Sequence, residues 1–357
     1  MISIKFLKAI NGDCILISFK DLQGKTKNIL IDGGLDATYY ESKSNSYGEL
    51  KTSIDYLRKK NQKINLLVLS HIDNDHINGL LKWFEMDNKA HELIEKVWFN
   101  SGKLIAEWLK EPENPDLKVG LKIFEDPYTG VPEALRFEEY LLKSNIWERK
   151  IIMQGATLED DETKIQVLSP SKKQLIRLLK EYKKKTGDDS YTSGRKKDWP
   201  LDLKSFIVEE DKNYTFSQDS SPKNGSSITL LITYNEKNFL FLADSHPKQI
   251  VKSLKRMGYS KQNPIELELL QVSHHGSKAN NNVELFEITK TNNYVISTNS
   301  SSHNHPHKRT LARIIKVNPK ATFHFNYEFV LDNIFTENDF EEFKEFKAKT
   351  ISTYTIS

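Results

Sequence analysis

Four side chains of metal-ligand type, His71, Asp73, Asp75 and His76, stand in the six-residue run His-Ile-Asp-Asn-Asp-His. Two imidazoles and two carboxylates this close must either face water separately or converge on a cation, and neutral imidazole with carboxylate suits zinc, manganese or iron. A blander reading makes Asp73 or Asp75 the cap of a helix starting near His76. A calcium loop is a poorer account, because the glycine and glutamate of an EF-hand do not follow at the required offsets. Further candidates stand at Asp32 (Leu30-Ile31-Asp32-Gly33-Gly34), Asp244, the pair His274-His275 and His305. Isolated histidines are more often satisfied core or surface residues, and His91, His246 and His324 are read that way.

These side chains need elements that bring them together. The apolar run Ile64, Leu66, Leu67, Val68, Leu69 reads as a buried strand, and Ile77, Leu80, Leu81 and Phe84 then return at helical spacing. Strand, ligand-rich loop and helix is how open α/β sheets present functional groups at the carboxyl ends of strands. Strands are expected at Ile2 to Leu7, Cys14 to Phe19 and Asn28 to Ile31, with a turn at Gln23-Gly24, and Leu50, Ile54 and Leu57 mark a helix. The middle of the chain suggests a strand at Val97-Trp98-Phe99, helices around Leu104 and Phe137, a turn at Asp126 to Gly130, and a strand at Lys164 to Leu168. A hairpin is expected from Ser226 to Tyr234 and Asn238 to Leu242, followed by a helix with Ile250 and Leu254. Then come a strand at Ile265 to Val272, a short helix, a strand at Asn293 to Ser297, a helix at Leu311 to Ile315, a strand near Phe323 to Tyr327 and a charged helix near 337 to 348. From the third strand on, most strands end at an acid or a histidine: Asp32, His71 with Asp73, Asp244, His274 or His275, then His305. That recurrence puts all of them on one rim.

The 357 residues fit one large domain or two ordinary ones, and 38% hydrophobic with 28% charged residues is a globular profile. A net charge of +3 gives no global nucleic-acid footprint. The stretch 171 to 198 is locally basic (Lys172, Lys173, Arg177, Lys180, Lys183 to Lys185, Arg195 to Lys197), read first as a solvated helix face and mobile loop, otherwise as a basic flap for a polyanion. Cys14 is the only cysteine, which excludes an internal disulfide and a cysteine-rich zinc site, and it packs as a small hydrophobe. No apolar stretch approaches the roughly 20 residues that span a bilayer, and Asn11-Gly12-Asp13 breaks any signal-like start, so a cytoplasmic protein without membrane contact is expected. Phosphate-loop, Gly-x-Ser-x-Gly and nucleophilic-cysteine settings are absent. Two ions about 3.5 to 4 Å apart, held by six or seven such ligands with one shared acid, can instead activate a hydroxide and clamp the displaced group.

Taken in order, Ile31-Asp32-Gly33-Gly34, His71-x-Asp73-x-Asp75-His76, Asp244 after a hydrophobic strand, and His274-His275-Gly276-Ser277 resemble the motifs of the metallo-β-lactamase fold. The variant is similar to the hydrolase domain of the DNA-uptake competence protein ComEC, through Gly12-Asp13, Asn224-Gly225-Ser226-Ser227 and His305-Pro306. The resemblance spans about 1 to 318, loosely over 100 to 220. It implies an α/β four-layer αββα sandwich, a single domain over 1–357 with a variable helical and basic insertion at 100–220, and one or two ions, Zn2+ or Mn2+, at one edge. By motif, His71 and Asp73 serve one metal and Asp75 and His76 the other. Asp244 bridges, and one of His274 and His275 completes the second site while the other contacts substrate. Asp32 supports the ligand loop, and His305 sits at the leaving-group side as acid or phosphate contact.

Two positions depart from that pattern. Asp73 stands where many relatives have histidine, which hardens the site and favours manganese as much as zinc. Residues 150 to 228 hold no histidine for the third motif, so either Asn224 or Ser227 stands in, or the first metal is weakly held. The expected activity is metal-dependent hydrolysis of a phosphodiester, with a phosphate ester or nucleic acid as substrate. The alternatives are a lactone, thioester or phosphorylcholine-type ester, or a non-catalytic regulatory or binding module of a multiprotein system. Protein partners and oligomeric state are open.

Overall fold

The computed structural model describes residues 1–110, 130–160, 163–183, 196–212 and 215–356. The turn expected at Asp126 to Gly130, except Gly130 itself, and the basic residues Lys184, Lys185 and Arg195 lie outside the described residues. Chain contacts divide into two units, one from Met1–Met153, Pro170–Tyr191 and Thr353–Ser357, the other from Gln154–Ser169 and Thr192–Ser352.

The first unit is built on a six-stranded sheet in the order Thr353–Ile356, Ile2–Phe6, Ile15–Lys20, Thr26–Ile31, Leu66–Val68, Val97–Trp98. Neighbours are antiparallel up to Thr26–Ile31 and parallel beyond it. The turn from Asp21 to Lys25 sets the register of the second hairpin: Asp21 Oδ1 accepts from Lys25 N at 2.8 Å, and Gly24 takes the left-handed φ of +75°. The parallel step puts the carboxyl ends of Thr26–Ile31 and Leu66–Val68 side by side, so Asp32 and His71 leave the same rim. Helices Glu49–Lys59, Asn74–Met86, Val131–Ser144 and Lys172–Tyr182 bury Leu50, Ile54 and Leu57, then Ile77, Leu80 and Leu81, then Phe137 and Leu141, then Leu175, Leu178 and Leu179, in one core with Leu16, Leu30 and Leu67. On Lys172–Tyr182 the opposite face carries Lys172, Lys173, Arg177 and Lys180 in solvent, the arrangement of an amphipathic core helix.

The second unit has an eight-stranded sheet in the order Lys347–Thr350, Thr322–Phe325, Asn293–Ile296, Leu269–Gln271, Lys237–Phe241, Thr229–Tyr234, Thr163–Ser169, Thr157–Glu159. The strands from Lys237–Phe241 to Lys347–Thr350 pair in parallel, and the others are antiparallel. Helices Pro247–Arg256, Val283–Ile288 and Lys308–Val317 bury Ile250, Leu254, Phe286, Leu311 and Ile315 with Leu240, Leu270, Tyr294 and Phe323. No helix among the described residues is long and apolar enough to cross a membrane.

Two expectations about elements are corrected. The run Ile265 to Val272 is two strands in different sheets, Ile265–Glu266 pairing with Thr289–Lys290 and Leu269–Gln271 in the main sheet. Leu267 and Glu268 separate them, and the Glu268 N–H is taken by Asn238 O at 2.8 Å. The charged helix near 337 to 348 is only Glu337–Glu342, closed by a Thr336/Asp339 capping box at its start, and Lys347–Thr350 is a strand. A helix at Glu328–Ile334 and a strand at Thr157–Glu159 carry no clear apolar period and were not expected.

Candidate functional site

In the first unit the ligand run follows the strand Leu66–Val68, and helix Asn74–Met86 begins inside it, with Asp73 in the N-cap position but making no side-chain cap bond. Asp32, buried at φ 58°, ties the run down. Its Oδ1 accepts from Ser70 N at 2.7 Å, and its Oδ2 accepts from Ser70 Oγ at 2.6 Å and lies 2.8 Å from His76 Nδ1. Ser70 Oγ, its own proton given to Asp32, faces His71 Nδ1 at 3.0 Å.

These bonds settle the ring chemistry. A carboxylate can only accept, so His76 Nδ1 carries the proton and, in the neutral ring, Nε2 carries the lone pair; the same logic through Ser70 applies to His71. His71 Nε2 lies 3.6 Å from Asp73 Oδ2 and His76 Nε2 lies 3.9 Å from Asp75 Oδ1, the two rings being 4.1 Å apart. Two ligands bound tetrahedrally at about 2.1 Å from one ion are about 3.4 Å apart, so these spacings suit ligand pairs better than direct hydrogen bonds. Asn11 Nδ2 donates to Asp75 Oδ2 at 3.0 Å. Gly12 is required beside it, since a Cβ there would fall 1.7 Å from Asp75 O. Asp13 is buried, and the adjacent Cys14 thiol is pushed well up by burial, then by Asp32 and Asp13, which makes it an inert hydrophobe.

In the second unit Asp244 follows the strand Lys237–Phe241, and His274 and His275 follow the parallel neighbour Leu269–Gln271. His274, His275 and Gly276 take φ of 49°, 52° and 87°, a left-handed run costly for the two histidines. It turns both rings toward one acid: His274 Nε2 is 3.4 Å from Asp244 Oδ2, and His275 Nε2 is 3.7 Å from Asp244 Oδ1. His275 Nδ1 donates to Ser297 O at 3.0 Å and His274 Nδ1 to Asn280 Oδ1 at 2.9 Å, so here too Nε2 is the lone-pair atom. The His305 ring meets the His274 ring edge-on at 4.8 Å, and burial, then His274, holds it well below the ordinary histidine range, a neutral ring at pH 7.

One acid in this group carried no signal in the sequence. Asp219 Oδ2 accepts from Asn224 Nδ2 at 2.7 Å and Asn280 Nδ2 at 3.0 Å, and lies 3.6 Å from His246 Nε2 and 3.8 Å from His274 Nδ1. Its Oδ1 accepts from Ser221 N at 2.8 Å. Burial alone would raise its pKa, but His246, His274 and these donors hold it well below the usual carboxylate range. His246, read as an ordinary histidine, is thus part of the polar group. His324 and His91 are not: His324 is buried against Asn293 and His91 is exposed. In each unit a buried Asp/His group therefore has the donor set of a divalent-ion site.

Residues 8–176 match the family model described as the Metallo-beta-lactamase superfamily. No curated protein matches the chain. Among solved structures the chain is similar to a mutant of the CmlA beta-hydroxylase, at 14% identity and a TM-score of 0.38, over 99% of this chain and 53% of that one. It thus spans about half the length of that protein. It is also similar to the metallo-beta-lactamase fold protein YhfI from Bacillus subtilis, at 10% identity and a TM-score of 0.41, over 99% and 98% of the two chains. A long form RNase Z from yeast matches at 11% identity and a TM-score of 0.36, over 84% of this chain and 37% of that one. The chain has the metallo-β-lactamase fold, of mixed α/β content with sheets flanked by helices.

Proposed function

We propose that the chain is a metal-dependent hydrolase acting on a phosphodiester, in nucleic acid or in a nucleotide, similar to the hydrolase domain of ComEC. The observation that carries this reading is the shared tautomer of His71, His76, His274 and His275, each with Nδ1 tied and Nε2 turned toward a carboxylate at 3.4 to 3.9 Å. We read 1–357 as one metallo-β-lactamase-like domain with 100–220 as a variable insertion, and the ligand residues as holding one or two ions, Zn2+ or Mn2+. His71 and Asp73 would hold one ion and Asp75 and His76 the other, and Asp244 would be the shared acid that the motif resemblance implies. His275 is the better of the histidine pair as a ligand, since its ring is buried and locked on a main-chain carbonyl; His274, more open, faces the substrate.

A divalent ion bound there supplies a Lewis acid and a water that ionises near neutral pH. The chain's own part is to orient and exclude. Asp32 fixes the His76 and His71 rings, Asn11 holds Asp75, and the neutral His305 ring offers a hydrogen bond at the leaving-group side. The order Gly12-Asp13, Asn224-Gly225-Ser226-Ser227, His305-Pro306 supports the phosphodiester over other esters, as does the lysine-rich face of Lys172–Tyr182.

The test is a panel of phosphodiester, lactone, thioester and phosphorylcholine-type substrates with Mn2+ or Zn2+ added. Cleavage of the phosphodiester arm alone, abolished by Asp75→Ala and by Asp244→Ala, is the expected outcome. Turnover surviving both changes removes the metal mechanism. Turnover confined to another arm moves the assignment to that bond, and a protein that binds neither ion is a non-catalytic regulatory or binding module.

A further inference from the structure

Asn224 lies in the short helix Pro222–Gly225, inside the polar group of the second unit. Its side-chain orientation is dictated by a neighbour that can only accept. The Asp219 carboxylate takes Asn224 Nδ2 at 2.7 Å, and the same Oδ2 takes Asn280 Nδ2 at 3.0 Å. A flipped amide would set two oxygens against each other, so Asn224 Oδ1 must point away from Asp219. That oxygen is buried and has no hydrogen-bond partner among the described residues. A buried amide oxygen left so costs about 1–3 kcal/mol, and folded proteins resolve such cases with a donor, an ordered water or an ion.

The surroundings favour the ion. Asn224 Nδ2 lies 3.4 Å from His274 Nδ1, and the other face of that ring is the one turned to Asp244 at 3.4 Å. The amide oxygen thus belongs to a group whose acids and imidazoles already have the spacing of cation ligands. Asn224 also sits in the stretch 150–228, which offers no imidazole at all, so any ligand it contributes is of another type.

We propose that Asn224 Oδ1 is a direct ligand of the cation at this site, aimed by Asp219, and that this oxygen shifts the preference of the centre from Zn2+ toward Mn2+. The inference rests on the metal-dependent reading above. Carboxamide oxygen is a hard donor that suits manganese, whereas thiolate suits softer ions, which provides a direct test. In the full chain carrying Asn224→Cys and loaded with Co2+, a thiolate-to-cobalt charge-transfer absorption is expected. The wild-type chain, whose only cysteine is the buried Cys14, should lack it. Calorimetric titration of Asn224→Ala should show Mn2+ binding weakened at least tenfold, with Zn2+ affected less.

Absence of the absorption in a folded, cobalt-loaded Asn224→Cys chain overturns the assignment. So does an Asn224→Ala chain that keeps wild-type Mn2+ affinity, the outcome expected if a water alone satisfies Oδ1. A wild-type chain that binds none of the three ions overturns both this inference and the hydrolase reading, whereas wild-type binding with unchanged variants overturns this inference alone.

Discussion

The two ligand groups solve one problem in different ways. In the first unit the candidates come almost entirely from one strand-loop-helix passage, and a buried carboxylate, Asp32, orients the rings. In the second they come from separate loops around residues 219–224, 244–246, 274–280 and 297–305, and the rings are oriented by an amide and a main-chain carbonyl. An acidic partner makes an imidazole a stronger donor than a carbonyl does. The orientation of the rings in the first group should therefore depend on one residue, while in the second it is shared among several partners.

The sharpest way to break that contrast is at its single point of dependence. Asp32→Ala strands Ser70 N and Ser70 Oγ and removes the acceptor for His76 Nδ1. At roughly 1–3 kcal/mol for each buried donor left unmade, a loss of about 3 kcal/mol or more is expected in urea unfolding, with metal affinity falling at least tenfold. Asp219→Asn should cost less in both, because an amide oxygen in the place of Oδ2 still accepts from both Asn224 and Asn280, and only Ser221 N loses its acceptor. Equal losses in the two variants would show that the groups are not held differently.

A smaller effect tests the packing behind each group. A Cβ at Gly12 would meet the main-chain oxygen of Asp75 at 1.7 Å, whereas one at Gly225 would meet the His246 ring, 2.7 Å from Cε1 and 3.0 Å from Nδ1. Backbone cannot step aside as a ring can. Gly12→Ala is expected to cost about 1–3 kcal/mol and to disturb Asp75, while Gly225→Ala shifts the His246 ring at lower cost. Thermal melts of the two variants, with and without Mn2+, compare them directly.

The same contrast explains what could be read from the sequence. The first group was legible because its ligands are contiguous and follow an apolar strand, and the hairpin Thr229–Tyr234 with Lys237–Phe241 was legible because its residues are β-branched and aromatic around a polar turn. Asp219 was invisible: it stands in Gln218-Asp219-Ser220-Ser221, a polar loop after no apolar strand, and its role arises only where Asn224, Asn280 and His246 converge on it. The one local hint is Ser221 N bonding back to Asp219 Oδ1, an Asx-type turn before a proline. The end of the chain misled for another reason. Charged, helix-favouring residues near Glu342 to Lys349 are overridden by pairing, as Lys347–Thr350 adds a parallel edge to Thr322–Phe325.

The smallest expected effect concerns a histidine outside both groups. His324 sits in Thr322–Phe325 with Nε2 against Asn293 Oδ1 at 3.0 Å, and burial, then Lys349, lowers its pKa to about 4 from 6.5. Between those values the unfolded chain binds a proton that the folded chain refuses, so stability is fully present above about pH 6.5 and is lost as pH falls toward 4. His324→Gln, which keeps a donor for Asn293, should flatten that part of the pH profile of urea midpoints. Flattening will be partial, because His305 is held low by burial in the same sense. A His324→Gln profile identical to wild type would mean that the strand admits the charged ring after all.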